Sequence, residues 1–99
     1  GGTPLLMASQ NNHIEIAKML VGVECIKVNE SDICGATPLF VASHHNHIEI
    51  VKLLLGSEGI EINQPTNNGV MGAITPLRVA KHNKHKKIVQ LLTAAGATV

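Results

Sequence analysis

Neither tryptophan nor tyrosine occurs in the chain, and Phe40 is its single aromatic residue. A core built without large rings must be close-packed from aliphatic side chains, and the 44% of residues that are apolar supply them. The same shortage removes the platforms on which unpaired bases stack. With a formal charge of only +1, nothing draws the chain as a whole to nucleic acid. Aspartate occurs once, at Asp32, so a Ser-His-Asp arrangement would hang on one residue, and no serine lies in a nucleophile motif. There is no glycine-rich phosphate loop. Cys34 could pair with His44 or His45 as a thiolate, but no oxyanion donors or enclosing pocket accompany it, and no catalytic function is expected.

Cysteine is also scarce. Cys25 and Cys34 could close one disulfide but not a framework, they lack the C-x-x-C spacing of a metal site, and free thiols are the expectation. No apolar run approaches the roughly 18 residues needed to cross a bilayer, and no basic stretch leads into an apolar one at the start. The expected setting is intracellular, in the cytoplasm or the nucleus, with no membrane partner.

What the chain has in abundance is itself. "TPLLMA", "TPLFVA" and "TPLRVA" begin at Thr3, Thr37 and Thr75, spaced by 34 and 38 residues. Each is followed by a polar patch and then a second apolar block, "HIEIAKMLV", "HIEIVKLLL" and "KKIVQLLTA". The pattern predicts two helices per repeat. Thr-Pro is a helix start: the hydroxyl accepts from an otherwise orphaned backbone N–H, and proline at the first helical position sacrifices no hydrogen bond. Ala8, Ala42 and Ala80 are small enough for close helix approach. Asn12 and Asn46 fall where the first helix should stop, and asparagine tolerates the left-handed conformation that ends a helix. Glu15 and Glu49 fall in the first turn of the second helix, favourable against its positive end. That second helix is apolar around a broad arc, Ile48, Ile50, Val51, Leu53, Leu54 and Leu55, as expected of a helix covered on two sides by stacked neighbours.

With these motifs in register along nearly all its length, the chain resembles the ankyrin repeat family. The resemblance implies an all-α fold, an ankyrin-repeat solenoid of stacked helix-turn-helix units joined by β-turn or hairpin fingers. The expected units are residues 1–34, 35–72 and 73–99 of a single domain, with a lengthened finger at about 63–74. Departures from the family pattern are specific. The histidine after TPL is replaced by Leu6, Phe40 and Arg78. The glycine between the helices is replaced by Asn12, Asn46 and Lys84, and lysine there should be strained unless the turn shifts onto Asn83. In the third unit Ile14 and Ile48 give way to Lys86, Glu15 and Glu49 to Lys87, and Val21 and Leu55 to Thr93. One face becomes polar, as a C-terminal cap requires. The first unit shows no such change, so an array with further repeats upstream is expected, the domain then being a C-terminal portion.

The function implied by the resemblance is non-catalytic protein–protein recognition, through a groove of finger tips and first helices; the alternative is a regulatory or scaffolding C-terminal domain whose activity lies elsewhere in a larger chain. Transferred onto this sequence, the groove positions are Gln10 and Asn11, His44 and His45, and His82 and Asn83 on the helices. On the fingers they are Gly2, then Ile33, Cys34 and Ala36, then Ile74. Asp32 matches the turn aspartate, a structural role. The stretch "QPTNNGVMGAI" enlarges the third finger around the Asn68-Gly69 turn signal and offers Val70 and Met71 at its tip. His13, His47 and His85 match the family's turn histidine, and a structural role is expected. His44, His45 and His82 lack an i, i+4 histidine partner or backing acid, so neither a metal nor any other cofactor is expected, though acid should charge the groove. Lys81–Lys87, "KHNKHKK", reads as the solvated face of the cap. The protein partner is not named by the sequence; the chain is expected to be a monomer, with its uncapped first repeat as the route to self-association.

Overall fold

The computed structural model describes residues 3–23, 26–66 and 73–98. Within them lie six helices, α1 (Pro4–Gln10), α2 (Ile14–Val21), α3 (Pro38–His44), α4 (Ile48–Leu55), α5 (Pro76–His82) and α6 (Lys86–Ala94), and no strand. The expected all-α architecture is the observed one.

Each repeat begins identically. Thr3, Thr37 and Thr75 are extended N-caps whose hydroxyls accept from the backbone N–H of Leu6, Phe40 and Arg78 at 3.1, 3.2 and 3.2 Å, with proline following at the first helical position. Each inner helix also ends identically. Asn12, Asn46 and Lys84 take φ of 57, 60 and 60°. The N–H groups of His13, His47 and His85 then reach back to the carbonyls of Ala8, Ala42 and Ala80, all at 2.9 Å. This six-residue closure is a Schellman end. The third turn does not shift onto Asn83, which keeps φ of −88°; Lys84 itself occupies the left-handed position.

Inner helices α1, α3 and α5 pack side by side in one layer, outer helices α2, α4 and α6 in a second, and each inner helix packs on its own outer partner. Ala8, Ala17, Ala42 and Ala80 sit buried where the helices approach. Leu5, Leu39 and Leu77 with Leu54, Ile50, Ile88 and Leu92 make a core without rings. Burying each large aliphatic side chain contributes about 1.5–3 kcal/mol. The arc of α4 is covered on both sides, with Ile50, Val51 and Leu54 fully buried and Ile48, Leu53 and Leu55 packed against that core. In α6, Lys86, Lys87 and Thr93 are exposed while Ile88 and Leu92 are buried, so the substituted face points away from the stack.

Side chains also stitch the far ends of the repeats. Asn29 donates to the Gly59 carbonyl and accepts from the Glu61 N–H, both at 2.8 Å, and Asn63 accepts from the Thr98 N–H at 3.0 Å.

Candidate functional site

The finger between the first two helix pairs is a tight turn. The Gly35 N–H bonds the Asp32 carbonyl at 3.0 Å with Gly35 at φ 79°, and the Asp32 N–H bonds the Ala36 carbonyl at 3.1 Å. The Asp32 carboxylate accepts from the N–H groups of Cys34 and Ala36 at 2.9 and 3.0 Å. The turn aspartate thus has the structural role expected of it. It holds Ile33 out at the tip, 94% exposed, beside the exposed Cys34.

At the third finger Thr66 stands where Asp32 stands in the second. Its N–H bonds the Ile74 carbonyl at 2.9 Å, and its hydroxyl accepts from the Ile74 N–H at 3.2 Å. The base of the lengthened finger is therefore closed between Thr66 and Ile74. Val70 and Met71 lie outside the described residues, as do Gly2 and Cys25.

The helix candidates fall at the C-terminal ends of the inner helices. Gln10, Asn11, His44, His45 and His82 are exposed; Asn83 is half-buried and donates to the His44 carbonyl at 3.3 Å. Four rings follow one another across the second repeat. The Phe40 and His44 centroids are 6.3 Å apart, those of His44 and His45 4.7 Å in an edge-on arrangement, and those of His45 and His47 5.6 Å. Partial desolvation in this row, and after it the neighbouring imidazoles of His44, His47 and His85, hold the His45 imidazole below the usual histidine range, although the side chain keeps a solvent-exposed side. Ile74 is half-buried at the finger base. Ala36 is buried, 7% exposed, so its side chain packs in the core and presents no surface to a partner.

The turn histidines do something the candidate groove residues do not. His47 Nδ1 lies 2.7 Å from the Ser9 carbonyl and His85 Nδ1 3.0 Å from the Ser43 carbonyl, each joining a repeat to the one before it. Those carbonyls belong to the last turn of an inner helix, which leaves them free. Among the described residues, no group of three or more His, Cys, Asp or Glu is arranged to hold a metal ion.

Charge is distributed unevenly. From residue 62 onward the chain contains no acid but has Arg78, Lys81, Lys84, Lys86 and Lys87; residues 1–61 carry all seven acids against three lysines. The inner helices have no acid at all. In α2 and α4 the lysine is paired, Lys18 with Glu15 and Lys52 with Glu49, both at 3.4 Å. In α6 those two positions are Lys87 and Gln90, and the pair is gone. An open hollow of about 420 Å³ beside α6 is lined by Lys81, Lys84, Lys86, Val89 and Gln90.

Sequence reasoning passed over the Asn29 and Asn63 clasps. Their signal was present in the "VN" and "IN" that close the first two repeats at the same spacing as the threonines.

Three helix pairs, each opened by a threonine cap and closed by the same left-handed turn, define a helical repeat protein. The family described as ankyrin repeats (3 copies) matches residues 1–66, and the chain belongs to it. The match ends before α5; the third pair is tied to the other two by its identical cap and turn geometry. No curated protein matches the chain. Ankyrin repeats are in general protein–protein interaction modules and typically non-catalytic. Among the described residues, no helix is long and apolar enough to cross a membrane.

Proposed function

We propose that this chain is a non-catalytic recognition module that binds a protein partner through the ends of its inner helices and its finger tips, and that the partner presents an acidic segment. The carrying observation is the run of exposed Gln10, Asn11, His44, His45 and His82 on helices that contain no carboxylate, with Arg78 and Lys81 exposed on the third of them. Ile33 at the tip of its finger offers an apolar contact. Specificity of this kind comes from complementary charge and a few apolar anchors rather than from an enclosed pocket. Of these residues, only Lys81 borders one of the open hollows of about 380–520 Å³ described on the molecule, the one beside α6.

The notable weakness of aromatic anchoring sets the expected affinity. With Phe40 half-buried in the ring row, binding must rest on histidine, asparagine, lysine and isoleucine contacts, and it should weaken as salt is raised. The test is affinity capture by the protein beside a His44→Glu, His45→Glu, Lys81→Glu variant of equal melting temperature. Partners held by the parent, lost by the variant and released by moderate salt support the reading. Equal retention by both proteins overturns the groove assignment.

A further inference from the structure

Lys81, Lys84 and Lys86 surround the open hollow of about 420 Å³ beside α6, whose remaining walls are Val89 and Gln90. Backbone hydrogen bonds tie the three lysines together. The Lys84 N–H donates to the Lys81 carbonyl and the Lys86 N–H to the Lys84 carbonyl, both at 3.1 Å, so one tight turn between α5 and α6 places all three. No carboxylate lines the hollow, and residues 62–99 contain none. Glu49, on the neighbouring outer helix, is held by Lys52 at 3.4 Å.

These positions face water by their own chemistry. Lys81 stands where Ser9 and Ser43 are fully buried beside the repeat that follows, and Lys86 where Ile14 and Ile48 pack against the core. A helix pair seated over them would strip water from both ammonium groups with no carboxylate to receive them. A polar cap needs only hydration, however, and a mixture of signs supplies it as well. The exposed faces of α2 and α4 follow that pattern, each pairing its lysine with a glutamate. The third repeat instead gathers one sign, with Arg78 and Lys87 also exposed. Lys84 in addition holds φ of 60°, a left-handed conformation that Asn12 and Asn46 adopt more easily at the same position. Solubility does not call for a lysine at a strained site, and strain kept within a cluster of like charges is a mark of function.

We propose that this hollow is a binding site for a small soluble anion that carries several phosphate groups close together. Each lysine is a compact point-charge donor, and clustered phosphates present charged oxygens to three such donors at once, which a single carboxylate cannot. A hollow of this volume suits a small molecule, with Val89 as a wall for its scaffold and the Gln90 amide as a neutral hydrogen-bonding group. An extended single strand of nucleic acid is a poorer occupant, because no ring lines the hollow to stack a base. The site shares only Lys81 with the proposed protein-binding groove and does not rest on it.

Tripolyphosphate is the probe, with citrate as the comparison anion. At ten times its dissociation constant, tripolyphosphate should raise the melting temperature by about 5–10 °C, and citrate should bind at least about tenfold more weakly. Lys84→Asn provides the sharpest contrast. Relieved of strain, it should melt higher than the parent without ligand, yet bind tripolyphosphate at least about tenfold more weakly. Lys86→Gln, at the exposed first position of α6, should melt no lower than the parent and lose as much affinity. Lys27→Asn removes the same charge from an exposed site in the first repeat and should bind like the parent. The proposal is overturned if millimolar tripolyphosphate leaves the melting temperature unchanged, if citrate binds equally well, or if Lys84→Asn and Lys86→Gln bind no more weakly than Lys27→Asn. None of these results bears on capture of a protein partner through His44 and His45, so the two readings fail separately.

Discussion

His47 Nδ1 approaches the carbonyl oxygen of Ser9 to 2.7 Å, joining two residues that are 38 positions apart in the sequence and in different repeats. The residue is fixed at the mouth of the turn by its backbone N–H, which donates to the Ala42 carbonyl, and the ring carries its proton on Nδ1 to donate to the Ser9 carbonyl. His85 does the same toward Ser43 at 3.0 Å, and His13 has exposed surroundings. His47→Ala and His85→Ala should therefore each destabilise the protein by about 1 kcal/mol, the usual net value of a hydrogen bond, and His13→Ala by almost nothing. Urea unfolding of the three variants checks the ordering. Equal losses at all three positions would show that the histidines act within their own turns and not between repeats.

Much of this architecture was legible because the same chemistry is written three times. A threonine cap, a proline and an alanine at constant offsets identify each inner helix whatever its flanks contain, and tertiary packing repeats with the sequence. The charged outer face of α6 could be read directly, since Lys86, Lys87 and Thr93 replace apolar or acidic residues at known positions. The surface was less legible. Ala36 stands in a row of finger positions, but the Asp32 carboxylate pulls its N–H inward and the side chain follows into the core. Asn29 and Asn63 gave no helical or turn signal, because their partners are backbone groups about 30 residues on, which no local pattern specifies.

At Lys84 local chemistry and fold disagree. Its φ of 60° is shared with Asn46, yet lysine has no short polar side chain to ease the left-handed conformation, and that conformation costs an ordinary residue about 1–2 kcal/mol. Lys84→Asn or Lys84→Gly should raise stability by about 1 kcal/mol, partly offset in the glycine variant by greater freedom of the unfolded chain. Thermal unfolding at matched salt is the measurement. A stability loss in both would mean that the Lys84 side chain makes a contact stronger than the strain.

Ser9 and Ser43 carry buried hydroxyls that find no hydrogen-bond partner, on helices where the flanking alanines pack closely. A buried hydroxyl left unpaired is costly, whereas a methyl group in its place is not. Ser43→Ala should be neutral or stabilising by up to about 1 kcal/mol, and the backbone carbonyl that His85 uses is retained. Ser43→Val, which adds bulk at a fully buried helix contact, should destabilise by about 1–3 kcal/mol. Comparing the two separates polarity from volume.

The histidine row makes stability depend on pH in a defined direction. Desolvation, then the neighbouring imidazoles of His44, His47 and His85, lower the affinity of His45 for a proton in the folded state. The unfolded chain, with His45 near 6.5, therefore binds more protons than the folded one over the interval just below that pH. This contribution leaves stability undiminished above about pH 6.5 and erodes it as pH falls through the lowered folded value. Replacing His45 with Asn, which stays neutral, should flatten the curve just below pH 6.5 while leaving the value at pH 7.5 nearly unchanged. Denaturant midpoints of parent and variant across that range provide the check. Parallel curves would place the acid sensitivity on other groups, and a variant that also loses stability at pH 7.5 would show that the His45 ring contributes by packing between His44 and His47 rather than through its charge.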